Sequence, residues 1–190
     1  MILIAGNGEY LDARNNLLMF RMKPTYIVER VTDINLNDLK NEGIKGLIFD
    51  LDNTLIPPKS AVLPEDIKTW LDQARDDFKI AIVSNNPREK YLELCQKELN
   101  CPVYGKAKKP QRSVTVKALK EMELLPNQVA IVGDRPLTDI LVGVRLGLTT
   151  ILVDPLIKHQ EMEIVKFLRK LERIFIKAPH KKFSFNKKEN

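Results

Sequence analysis

Leu47-Ile48-Phe49-Asp50-Leu51-Asp52-Asn53-Thr54-Leu55 is an apolar segment that ends in two carboxylates two residues apart, with a hydroxyl just behind them. Its leading residues have the composition of a buried strand, and Pro57-Pro58 prevent regular strand from continuing past the acids. Such a strand leaves two acids at the mouth of a sheet. The same stretch also suits a buried strand running into an acidic loop, so its meaning turns on how the other strands end.

Downstream, Pro64 suits a first helical residue, and Ile67, Trp70, Leu71 and Ala74 recur at helical spacing. A strand over residues 80–83 ends in Ser84-Asn85-Asn86. A helix over residues 88–99, a short strand at Val103-Tyr104 and the loop Gly105-Lys106-Ala107-Lys108-Lys109-Pro110 follow. Then come a helix near residues 112–122, a strand over 129–132 running into Gly133-Asp134, a helix near 138–146 closed by Gly147, and a last strand over 150–153. Upstream, Gly43 ends a helical turn around Asp38-Leu39-Lys40 before Ile44-Lys45-Gly46 opens the first strand. Residues 24–31 belong to the same lead-in, and residues 1–22 have no clear period.

Strands that are apolar throughout and alternate with helices imply parallel pairing, right-handed crossovers and helices on both faces. The expected fold is therefore α/β, a doubly wound three-layer sandwich of about five parallel strands. Residues 1–43 form a lead-in packing on the core, residues 44–156 the core itself, and residues 157–190 a basic amphipathic helix and tail. All strand C-termini of such a sheet share one edge, which brings Asp50, Ser84, the Lys106–Lys109 loop and Asp134 to one crevice.

The 190 residues suffice for one domain with a real core, and 44% hydrophobic with 29% charged residues fits a globular chain. Cys95 and Cys101 have no second pair to complete a metal knuckle and read as free thiols of a reducing compartment. No apolar run reaches the roughly 18 residues of a membrane span, and no secretory signal is apparent. A cytoplasmic protein, or one peripheral on the inner face of a membrane, is expected, an organelle included. Residues 156–190 hold ten Lys and Arg against four Glu, a difference of +6 equal to the net charge of the whole chain. The basicity thus belongs to the C-terminal segment, placed to meet an anionic surface.

The edge residues have complementary chemistry. Asp50, fixed at a strand end, can attack an electrophilic phosphorus and form an acyl phosphate. Asp52 can give a proton to the leaving oxygen and later activate water. Asp134 can join Asp50 around a divalent cation, with Mg²⁺ favoured by an oxygen-only set that must offset phosphate charge. Ser84 offers a hydroxyl to a phosphoryl oxygen with help from the Asn85 backbone, although a serine there also serves as a helix cap or turn residue. Of the three loop lysines, which can equally be a solvated loop, Lys109 is preferred because Pro110 biases it to an extended conformation. Asp139 either orients Lys109 or a metal-bound water, or is a first-turn acid favoured by the helix dipole.

Asp50-Leu51-Asp52-Asn53-Thr54, Ser84-Asn85, Lys109-Pro110 and Gly133-Asp134 with Asp139 resemble, in order and spacing, the four motifs of the haloacid-dehalogenase superfamily of phosphatases. The resemblance covers residues 44–155 and implies nucleophilic Asp50, acid/base Asp52, phosphate-binding Ser84, Asn85 and Lys109, and Mg²⁺ held by Asp50, the Asp52 carbonyl and Asp134. Thr54 and Asp139 would support them. Lys45-Gly46-Leu47 and the Gly133–Asp139 pattern further resemble the YqeG-type members, a group similar to phosphatidylglycerophosphate phosphatases. Arg135-Pro136 departs from the usual residues of the last motif.

The segments after the first two motifs leave no room for a cap domain, which suits a phosphate carried on something large. Ile164, Leu168, Leu171 and Phe175 fall on one helical stripe with Lys166, Arg169, Lys170 and Arg173 on other faces, a pattern that packs on the sheet or lies on anionic lipid. The tail at residues 181–188 reads as surface or polyanion contact. The expected activity is Mg²⁺-dependent phosphomonoester hydrolysis, with phosphatidylglycerophosphate as substrate. The alternatives are a cap-less phosphatase of a soluble phosphometabolite or phosphoprotein, and a non-enzymatic RNA- or ribosome-binding module. The chain lacks an aromatic set for stacking bases, which disfavours nucleic acid.

Overall fold

The computed structural model describes residues 23–58, 60–157 and 181–184. The chain runs β1 (Tyr26–Ile27), α1 (Leu36–Asn41), β2 (Gly46–Phe49), α2 (Glu65–Arg75), β3 (Lys79–Val83), α3 (Glu89–Leu99), β4 (Val103–Tyr104), α4 (Ser113–Met122), β5 (Val129–Gly133), α5 (Leu141–Leu146) and β6 (Thr149–Leu152). The strands form one parallel sheet in the order β1-β6-β5-β2-β3-β4. Among the described residues it has six strands where about five were expected. The sixth, β1, lies in the lead-in and is too short to announce itself by alternation.

The two faces of β2 show why these strands are apolar throughout. Leu47 and Phe49 point into one core with Trp70 and Leu71 of α2 and Leu92 and Cys95 of α3. Ile48, between them, points into a second core with Ala118 and Leu119 of α4 and Val142 of α5. A strand with a period of two that is buried on both sides has no polar face to show. The single tryptophan meets Phe49 edge-on, 6.1 Å between ring centroids.

From β2 the chain builds outward through β3 to β4, then returns to place β5 on the other side of β2. This reversal of winding opens a crevice between neighbouring strand ends, the usual ligand position in open α/β sheets. Asp50 follows β2 and Asp134 follows β5, so both stand at the switch point. Residues 50–64 alone connect β2 to α2, and no additional domain intervenes there.

The expected C-terminal amphipathic helix lies outside the described residues. Part of the tail does not, and it is bound to the body. Phe183 stacks on Tyr26 with centroids 3.9 Å apart. The Lys181 amide donates to the Thr25 carbonyl at 2.9 Å and the Ser184 amide to Asp38 Oδ2 at 2.6 Å. One of two phenylalanines in a basic run gave no sign of this partner, which is more than 150 residues away in sequence.

Candidate active site

The β2 ladder extends one residue past the strand, because the Asp50 amide donates to the Val132 carbonyl at 2.9 Å. Asp50 is thereby held with backbone rigidity. The chain then closes a tight loop in which the amides of Leu55 and Ile56 donate to the Leu51 carbonyl at 3.1 and 3.2 Å. Asn53 takes the left-handed conformation at φ 69°, which asparagine tolerates better than most residues. Its Oδ1 accepts the Ile157 amide at 2.9 Å, tying the loop to the chain beyond β6.

Lys109 is the centre of charge. Its side chain is 1% exposed, and its Nζ lies 2.6 Å from Asp50 Oδ1 and 2.7 Å from Asp139 Oδ1. It therefore turns inward, whereas Lys106 and Lys108 are exposed. Asn85 grips the lysine backbone from both sides: the Lys109 amide donates to Asn85 Oδ1 at 2.6 Å, and Asn85 Nδ2 donates to the Lys109 carbonyl at 3.2 Å. The Asn85 side chain thus acts on Lys109. Ser84 is buried, and its Oγ accepts the Asn86 amide at 3.1 Å, as a turn serine does, while its own hydroxyl proton remains available to donate.

On the β5 side, the turn Pro136–Ile140 carries Asp139 back beneath Gly133. A Cβ at Gly133 would come 2.4 Å from Asp139 Cγ, so glycine is required for this approach. Asp139 Oδ2 accepts the Arg135 amide at 3.0 Å, and its Oδ1 is buried and makes no aligned hydrogen bond, only the charge contact with Lys109. Pro136 opens this turn, and the departure at Arg135-Pro136 leaves Asp139 in the site. Thr54 Oγ1 donates to Asp134 Oδ1 at 3.4 Å.

Oxygens of Asp50, Asp134 and Asp139 lie within 4.8 Å of one another. Three carboxylates around one ammonium leave two negative charges in excess, the charge of one divalent cation. The buried, unaligned Asp139 Oδ1 and the oxygen-only donor set fit a hard cation such as Mg²⁺. Electrostatics express the same excess. Burial, reinforced by Asp139 and Asp134 and opposed by Lys109, pushes the Asp50 carboxyl up to about 7. Burial alone would pull the Lys109 ammonium down, yet Asp139 and Asp50 hold it above the usual lysine range.

Asp52 stands outside this charged cluster. Its Oδ1 accepts the Tyr91 hydroxyl at 2.7 Å and its Oδ2 accepts Asn86 Nδ2 at 2.9 Å. Burial, then the bond to Asp52, raises the Tyr91 hydroxyl above the ordinary tyrosine range. Sequence reasoning missed both partners. The available signal was a tyrosine in the first turn of the helix that follows Ser84-Asn85.

A buried carboxylate cluster at a switch point, a second acid two residues on and a buried lysine fit a haloacid-dehalogenase-type phosphatase. Within that class, the chain belongs to the family described as mitochondrial PGP phosphatase, whose model matches residues 16–157. It is 34% identical over 160 residues to "Probable phosphatase YqeG" of Bacillus subtilis, covering 84% of this chain and 92% of that one. It is also 29% identical over 163 residues to phosphatidylglycerophosphate phosphatase 1, chloroplastic/mitochondrial, of Arabidopsis thaliana, covering 81% of this chain. There it spans 47% of the longer relative's length. An uncharacterized protein of known crystal structure from Listeria monocytogenes serotype 4b shares the fold, with a TM-score of 0.52 at 17% identity, covering 63% of this chain and 85% of that one. No helix among the described residues is long and apolar enough to cross a membrane.

Proposed function

We propose that this phosphatase hydrolyses phosphatidylglycerophosphate through an aspartyl-phosphate on Asp50. The observation that carries the chemistry is the buried Lys109 bridging Asp50 and Asp139 beside Asp134. In the first half-reaction an Asp50 carboxylate oxygen attacks phosphorus, the bond from phosphorus to the ester oxygen breaks, and Asp52 gives its proton to the departing alkoxide. In the second, Asp52 takes a proton from water, whose oxygen attacks phosphorus; the bond to Asp50 breaks, releasing inorganic phosphate and the free carboxylate. Lys109, with Ser84 and the Asn85 backbone, faces the charge on the phosphoryl oxygens. Mg²⁺ would be held by Asp50, Asp134 and the Asp52 carbonyl with Asp139 beside them, and supplies electrostatic stabilisation of the transferring phosphoryl group.

The lipid assignment is supported by the family match, by the Arabidopsis relative and by the absence of a domain between β2 and α2 that would enclose a small substrate. The basic residues of the 156–190 segment supply attraction to an anionic membrane surface, where the protein is proposed to work as a peripheral enzyme. The test is phosphate release from phosphatidylglycerophosphate in vesicles and from a panel of soluble phosphomonoesters, with and without Mg²⁺. Wild type should turn over the lipid in preference, only with Mg²⁺, and Asp50→Asn should release none. Equal turnover of soluble esters would overturn the lipid assignment, and activity surviving Asp50→Asn would overturn the mechanism.

A further inference from the structure

Tyr91 belongs to none of the acidic or basic motifs, yet it makes the shortest contact to Asp52 among its described hydrogen bonds, 2.7 Å from hydroxyl to Oδ1. The other carboxylate oxygen is held by Asn86 at 2.9 Å, from the loop after β3. The two partners differ in what carries them. Asn86 sits on the loop after β3, its amide bonded to Ser84, the residue proposed above to meet the phosphoryl group. Tyr91 sits in the first turn of α3, with its side chain packed against the core that Leu47 and Phe49 enter.

We infer that Tyr91 is a positioning residue for proton transfer, fixing Asp52 in the orientation that delivers its proton to the leaving oxygen. This rests on the acid/base role proposed above for Asp52. A carboxylate on a short side chain has two torsions to settle, and one hydrogen bond from a rigid donor restricts both. Tyr91 keeps its own proton throughout: the proton lost by Asp52 passes to the ester oxygen as the phosphorus–oxygen bond breaks. Asn86 is carried by a loop and Tyr91 by a helix packed on the core, so Asn86 is the partner that yields when substrate binds, and Tyr91 is the pivot that stays.

Positioning of a general acid matters in proportion to how much the leaving group needs a proton, which separates this role from a structural one. The experiment compares Tyr91→Phe with wild type, as full chains with Mg²⁺, on β-glycerophosphate and on p-nitrophenyl phosphate. An alkoxide must be protonated as it leaves; p-nitrophenolate need not be. The expected result is a roughly tenfold fall in kcat/KM for β-glycerophosphate with KM unchanged, and a change within about twofold for p-nitrophenyl phosphate. Equal losses on both esters, or no loss on either, would overturn the inference. Wild type inactive on both and on phosphatidylglycerophosphate in vesicles as well, or activity surviving Asp50→Asn, would instead remove the functional reading beneath it. Phenylalanine keeps the packed ring, and Tyr91→Met gives a second variant should the first fail to fold.

Discussion

Asp50 and Asp52 are separated by one leucine, yet the fold gives them opposite company. Asp50 meets an ammonium at 2.6 Å and two further buried carboxylates, a pocket in which nearly every group is charged. Asp52 meets a phenol and an amide, both neutral. Under the proposed mechanism, the attacking carboxylate gains from a fixed counter-charge that aims it, whereas the one that gains and loses a proton in each cycle does better where no ion pair breaks when it changes charge. The difference arises from sequence distance. The partners of Asp50 come from β4–α4 and β5, gathered by the switch point, while those of Asp52 come from the adjacent β3–α3 connection.

The largest effects should fall on the charged side. Asp50→Asn removes the proposed nucleophile, and phosphate release should fall by about 10⁴-fold or more. The same change removes a carboxylate from a cluster with excess negative charge, so the melting temperature without Mg²⁺ should hold or rise. Lys109→Met should lose activity by about 10³-fold and also lose stability, on the order of 3–5 kcal/mol by urea denaturation, because two buried carboxylates lose their counter-ion. A Lys109→Met variant as stable as wild type would show that the pocket is wetter than its 1% exposure implies.

Asp52→Asn probes the neutral side. Its activity on alkyl phosphates should fall by about 10²–10³-fold, with stability changed by less than about 1 kcal/mol, since Tyr91 and Asn86 can rearrange their hydrogen bonds around an amide. A stability loss matching that of Lys109→Met would erase the contrast between the two aspartates.

The fold was legible where its signals are local. Strand ends at Asp50, Ser84 and Asp134, the helix spacing of Ile67, Trp70, Leu71 and Ala74, and Gly147 as a helix stop all come from short-range rules. Asp139 was legible as a candidate, but its contact with Lys109 depends on the Pro136–Ile140 turn and on the missing Cβ of Gly133. Tyr91 and Asn86 were not legible, because a tyrosine in a helix and an asparagine in a turn each have ordinary reasons to be there. The edge strand β1 and the stacking of Phe183 on Tyr26 escaped for a related cause: two-residue pairing and a single ring contact leave no period to read.

Under the proposed Mg²⁺ site, proton and metal would compete on the charged side only. The Asp50 carboxyl, at about 7 in the fold against 3.8 as its ordinary value, holds a proton that the unfolded chain has released. The metal-free protein should therefore lose stability as pH rises from about 4 to about 7, the sign expected for an acid whose pKa folding raises. Mg²⁺ bound as proposed would displace that proton, so its apparent affinity should weaken by up to about tenfold per pH unit below 7, with proton release measurable by calorimetry in buffers of different ionisation enthalpy. Affinity flat between pH 5.5 and 8 would place the proton elsewhere.

The smallest effect tests whether charge alone, or burial of charge, sets the two sides apart. Lys106, Lys108 and Lys109 lie within four residues, and composition does not distinguish them. In the fold, Lys106 pairs with Glu89 at 2.5 Å where both side chains are more than half exposed, an arrangement whose net contribution is small because water screens it and side-chain entropy opposes it. Lys108 is exposed as well. Lys106→Met and Lys108→Met should therefore leave kcat on p-nitrophenyl phosphate within about twofold and the urea midpoint nearly unmoved, with any loss confined to KM and abolished by added salt. A salt-resistant fall in kcat for either variant would mean that the phosphoryl site reaches beyond Lys109 to the loop surface, and the boundary between the charged pocket and the open crevice would have to be redrawn there.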